Sequence, residues 1–515
     1  MPDRRLTERD NLLITYGDQV TEAGRPPLAV LTEFLERHVG DIVTGVHLLP
    51  HFPYSSDDGF SVIDHRRVDP ALGTWDDVGR LGRRFNLMLD AVINHVSRES
   101  AWFQAYRRGE APYRGYFIEC EPGADISMVV RPRALPLLTP VETARGTRHV
   151  WTTFSDDQID LNFRNPDVLM EIIDILLMYV SRGARLLRLD AIAYLWKELG
   201  TPCIHLPQTH QVIQLIRAVL DLVAPGTLLV TETNVPHRDN VGYFGDGTNE
   251  AHMVYNFSLP PLVLDALRGG SAEALSGWAA GVGAPPDGTT FLNFLASHDG
   301  IGLNPARGIL SESAIASLAR ELSPVSFADG PDGVRRPYEL NVNFLDAVGG
   351  NARPFLVAQA IMLALRGVPG IYFHSLFGSR GWPEGVRQTG RNRTINRQKF
   401  TRLSLEKAVA DPASGRAEIL GGCRSLLRAR AASAAFDPYA PQRVLDCGGA
   451  VFGLIRTSAD GSRSVFCLHN VSPRRQTVRL DTGRDPMHDL ISGRSMSAMN
   501  VELEPHEAVW LTGEP

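Results

Sequence analysis

Eight short, mostly apolar runs recur along the chain: LLITYG (12–17), GVHLLP (45–50), LMLDAVINH (87–95), ARLLRLD (184–190), TLLVTET (227–233), HMVYNF (252–257), TTFLNFLASHD (289–299) and GIYFHS (370–375). Runs of this kind read as strands covered on both faces, which is the habit of parallel sheets. Between them lie stretches of helical periodicity, among them 168–183, 209–226 and 354–370, each closed by Gly or Pro. A helix after a strand supplies the crossover that parallel pairing requires, and eight such units predict closure into a (β/α)₈ TIM barrel, an α/β fold.

With 515 residues the chain has more than one barrel needs. Residues 1–95 and 166–439 hold the barrel units. Residues 96–165, rich in Pro and aromatic side chains, read as a subdomain inserted after the third strand, and 300–353 as a second insertion after the seventh. From about 440 to 515 short alternating runs such as AVFGLIRTS and SRSVFCLHNVS predict a C-terminal all-β domain. Long ordered insertions on the catalytic face usually shape the substrate site.

The 52 basic and 58 acidic residues are evenly mixed, for a net charge of −6, so no basic stripe points to nucleic acid. Five scattered cysteines without a C-x-x-C pair suggest neither a metal site nor a redox pair, and fit reduced thiols in a cytoplasm. MPDRRLTERDNLL has no apolar signal core, and no stretch approaches the roughly 18 apolar residues of a membrane span. The expectation is a cytoplasmic protein with no membrane partner.

Three carboxylic side chains, Asp190, Glu232 and Asp299, close three of the runs. In a barrel, groups at the C-terminal ends of strands converge on one pocket. A retaining glycosyl transfer needs one carboxylate as nucleophile and one carboxylic acid for the leaving oxygen, and Asp190 and Glu232 suit those roles. Arg188, two residues before Asp190, points to the same face of its strand and would keep the nucleophile ionised. His95 and His298 offer neutral hydrogen-bond donors. Singly, each has a plainer reading: an Asp after a strand also caps helices, a lone His also sits satisfied in cores, and an Arg also pairs across a barrel.

DAVINH (90–95), RLLRLDAIAY (185–194), TETN (231–234) and FLASHD (294–299) resemble, in order, the four sequence regions of the α-amylase-like glycoside hydrolase superfamily, family 13. LLITYGDQ (12–19), RPRALPLLTP (131–140), NFSLPPLVLDAL (256–267) and GRNRTINRQKF (390–400) are similar to its sucrose phosphorylase branch, and the resemblance covers nearly the whole chain. PYSSDDGFSVID, WTTFSDDQIDLN and NFLASHDGIGLNP look more like the glucosylglycerate phosphorylases of that branch than like the sucrose phosphorylases.

The resemblance implies Asp190 as nucleophile, Glu232 as acid and base, and Asp299 as holder of the glucosyl hydroxyls, with Arg188, His95 and His298 in the same subsite. It further implies Asp57 and Arg393 on the far hydroxyls, Phe60 and Phe154 as apolar walls, and Arg133 and Tyr338 as phosphate ligands, with Arg131 as a companion. An anionic acceptor calls for a further cation, for which Arg335 or Arg336 could serve. Many relatives carry calcium near the third-strand insertion and a Lys-His pair after the nucleophile; AIAYLWKE follows Asp190 here, so neither metal nor cofactor is implied. The implied partners are small molecules: an α-glucoside, inorganic phosphate, glucose 1-phosphate and D-glycerate. The alternatives are sucrose as substrate, water in place of phosphate, and a barrel that binds sugar without catalysis.

Overall fold

A computed structural model describes residues 5–132, 135–329 and 334–513. The eight runs form one closed parallel barrel of β1 (Leu12–Thr15), β2 (Gly45–Leu48), β3 (Asn86–Ala91), β4 (Ala184–Leu189), β5 (Leu228–Thr231), β6 (Met253–Tyr255), β7 (Thr290–Phe294) and β8 (Val368–Tyr372). Each strand pairs with its neighbour in sequence, and β8 closes on β1 with Leu12 opposite Gly370.

Met88, Leu186, Leu228, Val230, Met253 and Leu292 fill the barrel interior, while Leu187, Leu229 and Val254 face the helices. Side chains alternate along a strand, so one that buries Leu186 inside also aims Arg188 and Asp190 inward, one and two layers higher. The same parity carries Met88 to Asp90 and Val230 to Glu232.

Among the surrounding helices, α1 (Trp75–Arg84) starts at a capping box between Thr74 and Asp77, and α2 (Pro166–Ser181) at Asn165, whose side chain accepts the Asp167 N–H at 3.0 Å. α3 (Pro207–Val223) and α4 (Ala352–Ala364) follow. Three expectations need adjusting. The helix expected over 354–370 stops at Ala364, where Leu365 turns to extended backbone (φ −65°, ψ 150°); beyond it Gly367 (φ 140°) lies against β7, where a Cβ would meet the Phe291 carbonyl oxygen at 2.8 Å. The run GIYFHS leaves the sheet after Tyr372 and coils into a helical turn, Phe373–Leu376. TTFLNFLASHD is a strand only to Phe294, so Asp299 stands on the loop beyond it.

Between β3 and α2 lie a helix (Ala101–Arg108), a hairpin (Leu138–Thr143 with Gly146–Trp151) and a short strand, Gln158–Asp160, paired with His95–Ser97. Between β7 and α4, Ile301–Gly302 and Val325–Asp329 flank the central strand Arg335–Leu340. The C-terminal region forms a six-stranded sheet. A buried arginine of that sheet, Arg456, joins it to the barrel through carbonyl oxygens, donating to Ala364 at 2.9 Å and Asp437 at 2.7 Å; a second, Arg430 on the helix Gly415–Ala431, ties the segment before the sheet to the barrel by donating to Gly367 and Phe436, both at 3.1 Å. Among the described residues no helix is long and apolar enough to cross a membrane.

The first insertion is fastened by one buried ammonium. Lys197, in the segment after β4, sits 2.6 Å from Asp160 and 2.8 Å from the Asn94 side-chain oxygen beyond β3. Asp160 also accepts the Thr153 N–H at 2.8 Å and the Asn94 amide at 3.1 Å. Three segments distant in sequence thus meet on one charge pair, and removing one partner leaves the other charge buried. Lys197→Met is therefore expected to cost about 3–5 kcal/mol in denaturant unfolding, and Lys197→Met with Asp160→Asn to regain part of it. Equal stability of the Lys197→Met protein and the parent would remove this role.

Candidate active site

Arg188 is the centre of the site. It is 3% exposed and reaches the strand end of β4 inside the barrel, where its Nη1 donates to Asp190 Oδ1 at 2.8 Å and to Asp90, and its Nη2 lies 3.9 Å from Glu232 Oε1. The rings of Phe60 and Tyr255 flank the guanidinium at 5.8 and 5.6 Å. Asp90 in turn accepts from His47 Nε2 at 2.8 Å, and His47 Nδ1 faces the Tyr255 hydroxyl at 3.4 Å, which fixes the imidazole tautomer. The ends of five strands thereby supply one network.

Burial pushes Glu232 above the usual carboxylate range, and Arg188 and the Ala191 N–H, which donates to Oε2 at 3.0 Å, only partly offset it. Burial acts on Asp190 in the same sense, but Arg188 lies 2.8 Å from that carboxylate against 3.9 Å from Glu232. Asp190 too stands well above the usual carboxylate range, and the closer guanidinium favours the anion there over Glu232. Asp90 is held down to about 2: burial would raise it, and Arg188 and His47 overcome the burial.

The third carboxylate has its own cations. Arg393 Nη1 meets Asp299 Oδ1 at 2.6 Å, Arg397 Nη2 approaches the same oxygen at 3.5 Å, and His298 Nε2 lies 3.4 Å from Oδ2. Burial opposes ionisation of Asp299, yet these neighbours hold it well below the usual range. Burial lowers His298 to about 3, so it is a neutral ring, stacked on Phe60 at 4.8 Å and 10°. Opposite, Phe154 packs between His95 at 5.3 Å and Tyr194 at 5.5 Å. His95, expected to donate to a sugar, has Nε2 2.9 Å from the Phe60 carbonyl oxygen and Nδ1 3.3 Å from the Asn94 amide. Both ring nitrogens are thus engaged by protein, and the ring serves as a wall that fixes Phe60.

Asp57 and Asp58 both hold left-handed backbone, with φ of 53° and 49°. Two consecutive non-glycine residues in that region store strain that surrounding contacts must hold, here including the Asp58 ion pair with Arg397. Asp57 borders a cleft of about 520 Å³ between the two insertions, with Ser155, Tyr338, Asn341, Arg391 and Arg393 also in its wall. Tyr338 stands there with its hydroxyl 3.3 Å from the Asn234 amide. The other expected cations lie elsewhere: Arg335 covers the Phe327 ring at 5.2 Å, Arg131 donates to the Leu135 carbonyl at 3.2 Å, and neither they nor Arg336 border the cleft. Arg133 lies outside the described residues.

Asp90, His47, Arg397 and Asn234 belong to this constellation although none was singled out from sequence. Asp90 carried a readable signal, since it stands two residues after the inward-facing Met88. Arg397 and Asn234 sit on loops, where no periodicity announces direction.

The described site has relatives. The α-amylase catalytic-domain model matches residues 39–277. The glucosylglycerate phosphorylase of Spirochaeta thermophila is 48% identical over 98% of this chain and 90% of its own length, whereas the sucrose phosphorylase of Bifidobacterium adolescentis is 29% identical over 78% of this chain and 82% of its own. The crystal structure of sucrose 6F-phosphate phosphorylase from Thermoanaerobacter thermosaccharolyticum superposes with a TM-score of 0.81 at 23% identity, covering 97% of this chain and 100% of that one, which speaks for the fold.

Asp90 contributes to the raised pKa of Glu232 by like charge, so Asp90→Asn should lower it. The titration of Glu232, followed by infrared difference spectroscopy of its carboxyl group, is expected to move to lower pH in Asp90→Asn. A titration that stays in place would disconnect Asp90 from Glu232.

Proposed function

Because the chain belongs to the α-amylase family, on the branch that holds the glucosylglycerate and sucrose phosphorylases, we propose that it cleaves 2-O-α-D-glucosyl-D-glycerate with inorganic phosphate, reversibly and with retention, to α-D-glucose 1-phosphate and D-glycerate. It is an enzyme of the glycosyltransferase type. The chemistry is carried by a single observation: one buried guanidinium, Arg188, shared by Asp190 and Glu232. The acceptor is carried by the 48% identity, over 98% of this chain, to a glucosylglycerate phosphorylase.

Arg188 engages Asp190 Oδ1, which leaves Oδ2 to attack C1 of the glucosyl unit. As the C1–O bond to glycerate breaks, Glu232 gives its proton to the leaving oxygen, and a β-glucosyl ester forms on Asp190. Glycerate departs and phosphate enters from the cleft that Tyr338 borders. Glu232, now a carboxylate, takes a proton from phosphate as a phosphate oxygen attacks C1 on the same face. The ester bond breaks, Asp190 is restored and α-glucose 1-phosphate leaves. Asp299, kept ionised by Arg393, holds ring hydroxyls as positive charge develops at C1, between the walls of Phe60, Phe154 and His298. All five cysteines are unpaired, as a reducing cytoplasm would keep them.

Purified protein given phosphate is expected to release glucose 1-phosphate faster from glucosylglycerate than from sucrose; the reverse order would assign the acceptor to fructose, and phosphate-independent release of glucose would make it a hydrolase. Asp190→Asn should lose at least about a thousandfold in rate with its fold intact. Glu232→Gln should lose turnover of glucosylglycerate yet still form the ester from α-glucosyl fluoride, whose leaving group needs no proton. Equal losses on both donors would argue against Glu232 as the acid.

A further inference from the structure

We infer that Glu339 is a positioning residue of the glucose subsite: it sets the orientation of the Arg393 guanidinium and, through it, of Asp299. Glu339 lies on the central strand of the second insertion and is 2% exposed. Its two oxygens take Arg393 Nε at 3.0 Å and Nη2 at 2.7 Å, a side-on fork. The guanidinium is planar and its five N–H groups keep fixed relative directions, so fixing one edge fixes where Nη1 points. Nη1 points to Asp299 Oδ1 at 2.6 Å.

The consequence is a division of the Asp299 oxygens. Oδ1 is taken by Arg393 and Arg397, while Oδ2 faces His298 Nε2 at 3.4 Å and stays available to a hydroxyl. Without Glu339, Arg393 could turn a two-nitrogen edge to Asp299 and occupy both oxygens, since the fork-to-fork pair is the preferred geometry of Arg with carboxylate.

The sequence builds this approach with two glycines directly after Asp299. A Cβ on Gly300 would lie 2.4 Å from the Leu340 carbonyl oxygen and 2.6 Å from Glu339 Cγ, and one on Gly302 would lie 2.7 Å from Asn234 Oδ1. A bare Gly300 lets Ile301–Gly302 pair with Glu339–Leu340 and bring the insertion under the Asp299 loop, while Gly302 leaves room for the Asn234 side chain. HDGIG thus ties the second insertion to the glucose subsite, and Glu339 is the side chain that makes the tie.

This role rests on the phosphorylase reading only for its turnover assay, because glucose binding can be read directly by calorimetry. In Glu339→Gln, glucose binding is expected to weaken about tenfold. kcat/KM should fall by one factor for glucose 1-phosphate and for glucosylglycerate alike, with the KM values for phosphate and glycerate unchanged. Glu339→Gln added to Arg393→Gln should cost nothing further, as expected of two residues acting as a unit. Gly300→Ala, which leaves every charge in place and displaces Glu339, should show the same loss of glucose binding and keeps the test open if Glu339→Gln does not fold. Intact glucose binding, losses that follow the acceptor, or additive losses in the double variant would overturn the inference. If the parent protein releases no glucose 1-phosphate but the calorimetry behaves as stated, the functional reading fails and the role of Glu339 stands.

Discussion

One buried cation organises the reacting end of the barrel. Arg188 would be costly to bury alone, and it is stable where it lies because Asp90, Asp190 and Glu232 surround it and aromatic faces cover its remaining sides. The arrangement makes the two carboxyl groups unequal. A uniform environment would leave two neighbouring acids competing for one proton; an off-centre guanidinium biases the competition toward an ionised Asp190. His47, oriented by Tyr255 and bonded to Asp90, stops the second anionic partner from drifting away from the cation.

Around that centre the fold works as successive levels of support. The barrel strands deliver Asp90, Arg188, Asp190 and Glu232 by pleat parity and cannot easily misplace them. Asp299, Arg393, Arg397 and Asp57 come from loops, which have no such parity, and here ion pairs replace it: Arg393 joins two carboxylates and Arg397 joins Asp299 to Asp58. Farther out, Lys197 fastens the first insertion to the barrel, Arg456 fastens the C-terminal sheet, and Arg430 fastens the segment that leads into it. Those two arginines bond carbonyl oxygens, and burial draws them down to about 10 and about 9, still far above neutrality.

The eight barrel strands were legible because a strand covered on both faces must be apolar almost throughout, and few other structures impose that on so many short runs. Their ends were less so. Nothing in the composition of GIYFHS says that Phe373 begins a helical turn, nor does FLASHD say that the sheet ends at Phe294, because hydrophobicity persists wherever the chain stays buried. Asp190, Glu232, Asp299, Arg188 and Arg393 do meet at the strand ends, and Tyr338 reaches the adjoining cleft. Arg335 faces an aromatic ring instead, as a long flexible side chain on an exposed strand end takes whatever apolar surface is near.

The barrel and the inward direction of Arg188, Asp190 and Glu232 can be read from the chain because they follow from local periodicity and residue type, and the four family regions because their motifs resemble those of known relatives. Only the tertiary structure decided which groups share a charge: that Asp90 completes the Arg188 network, that Glu339 orients Arg393, and that His95 spends its nitrogens on protein. The reason is physical. Pleat parity is a property of neighbours along the chain, whereas Coulomb energy and hydrogen bonding depend on distances between residues tens to hundreds of positions apart, and those distances exist only once the barrel has closed.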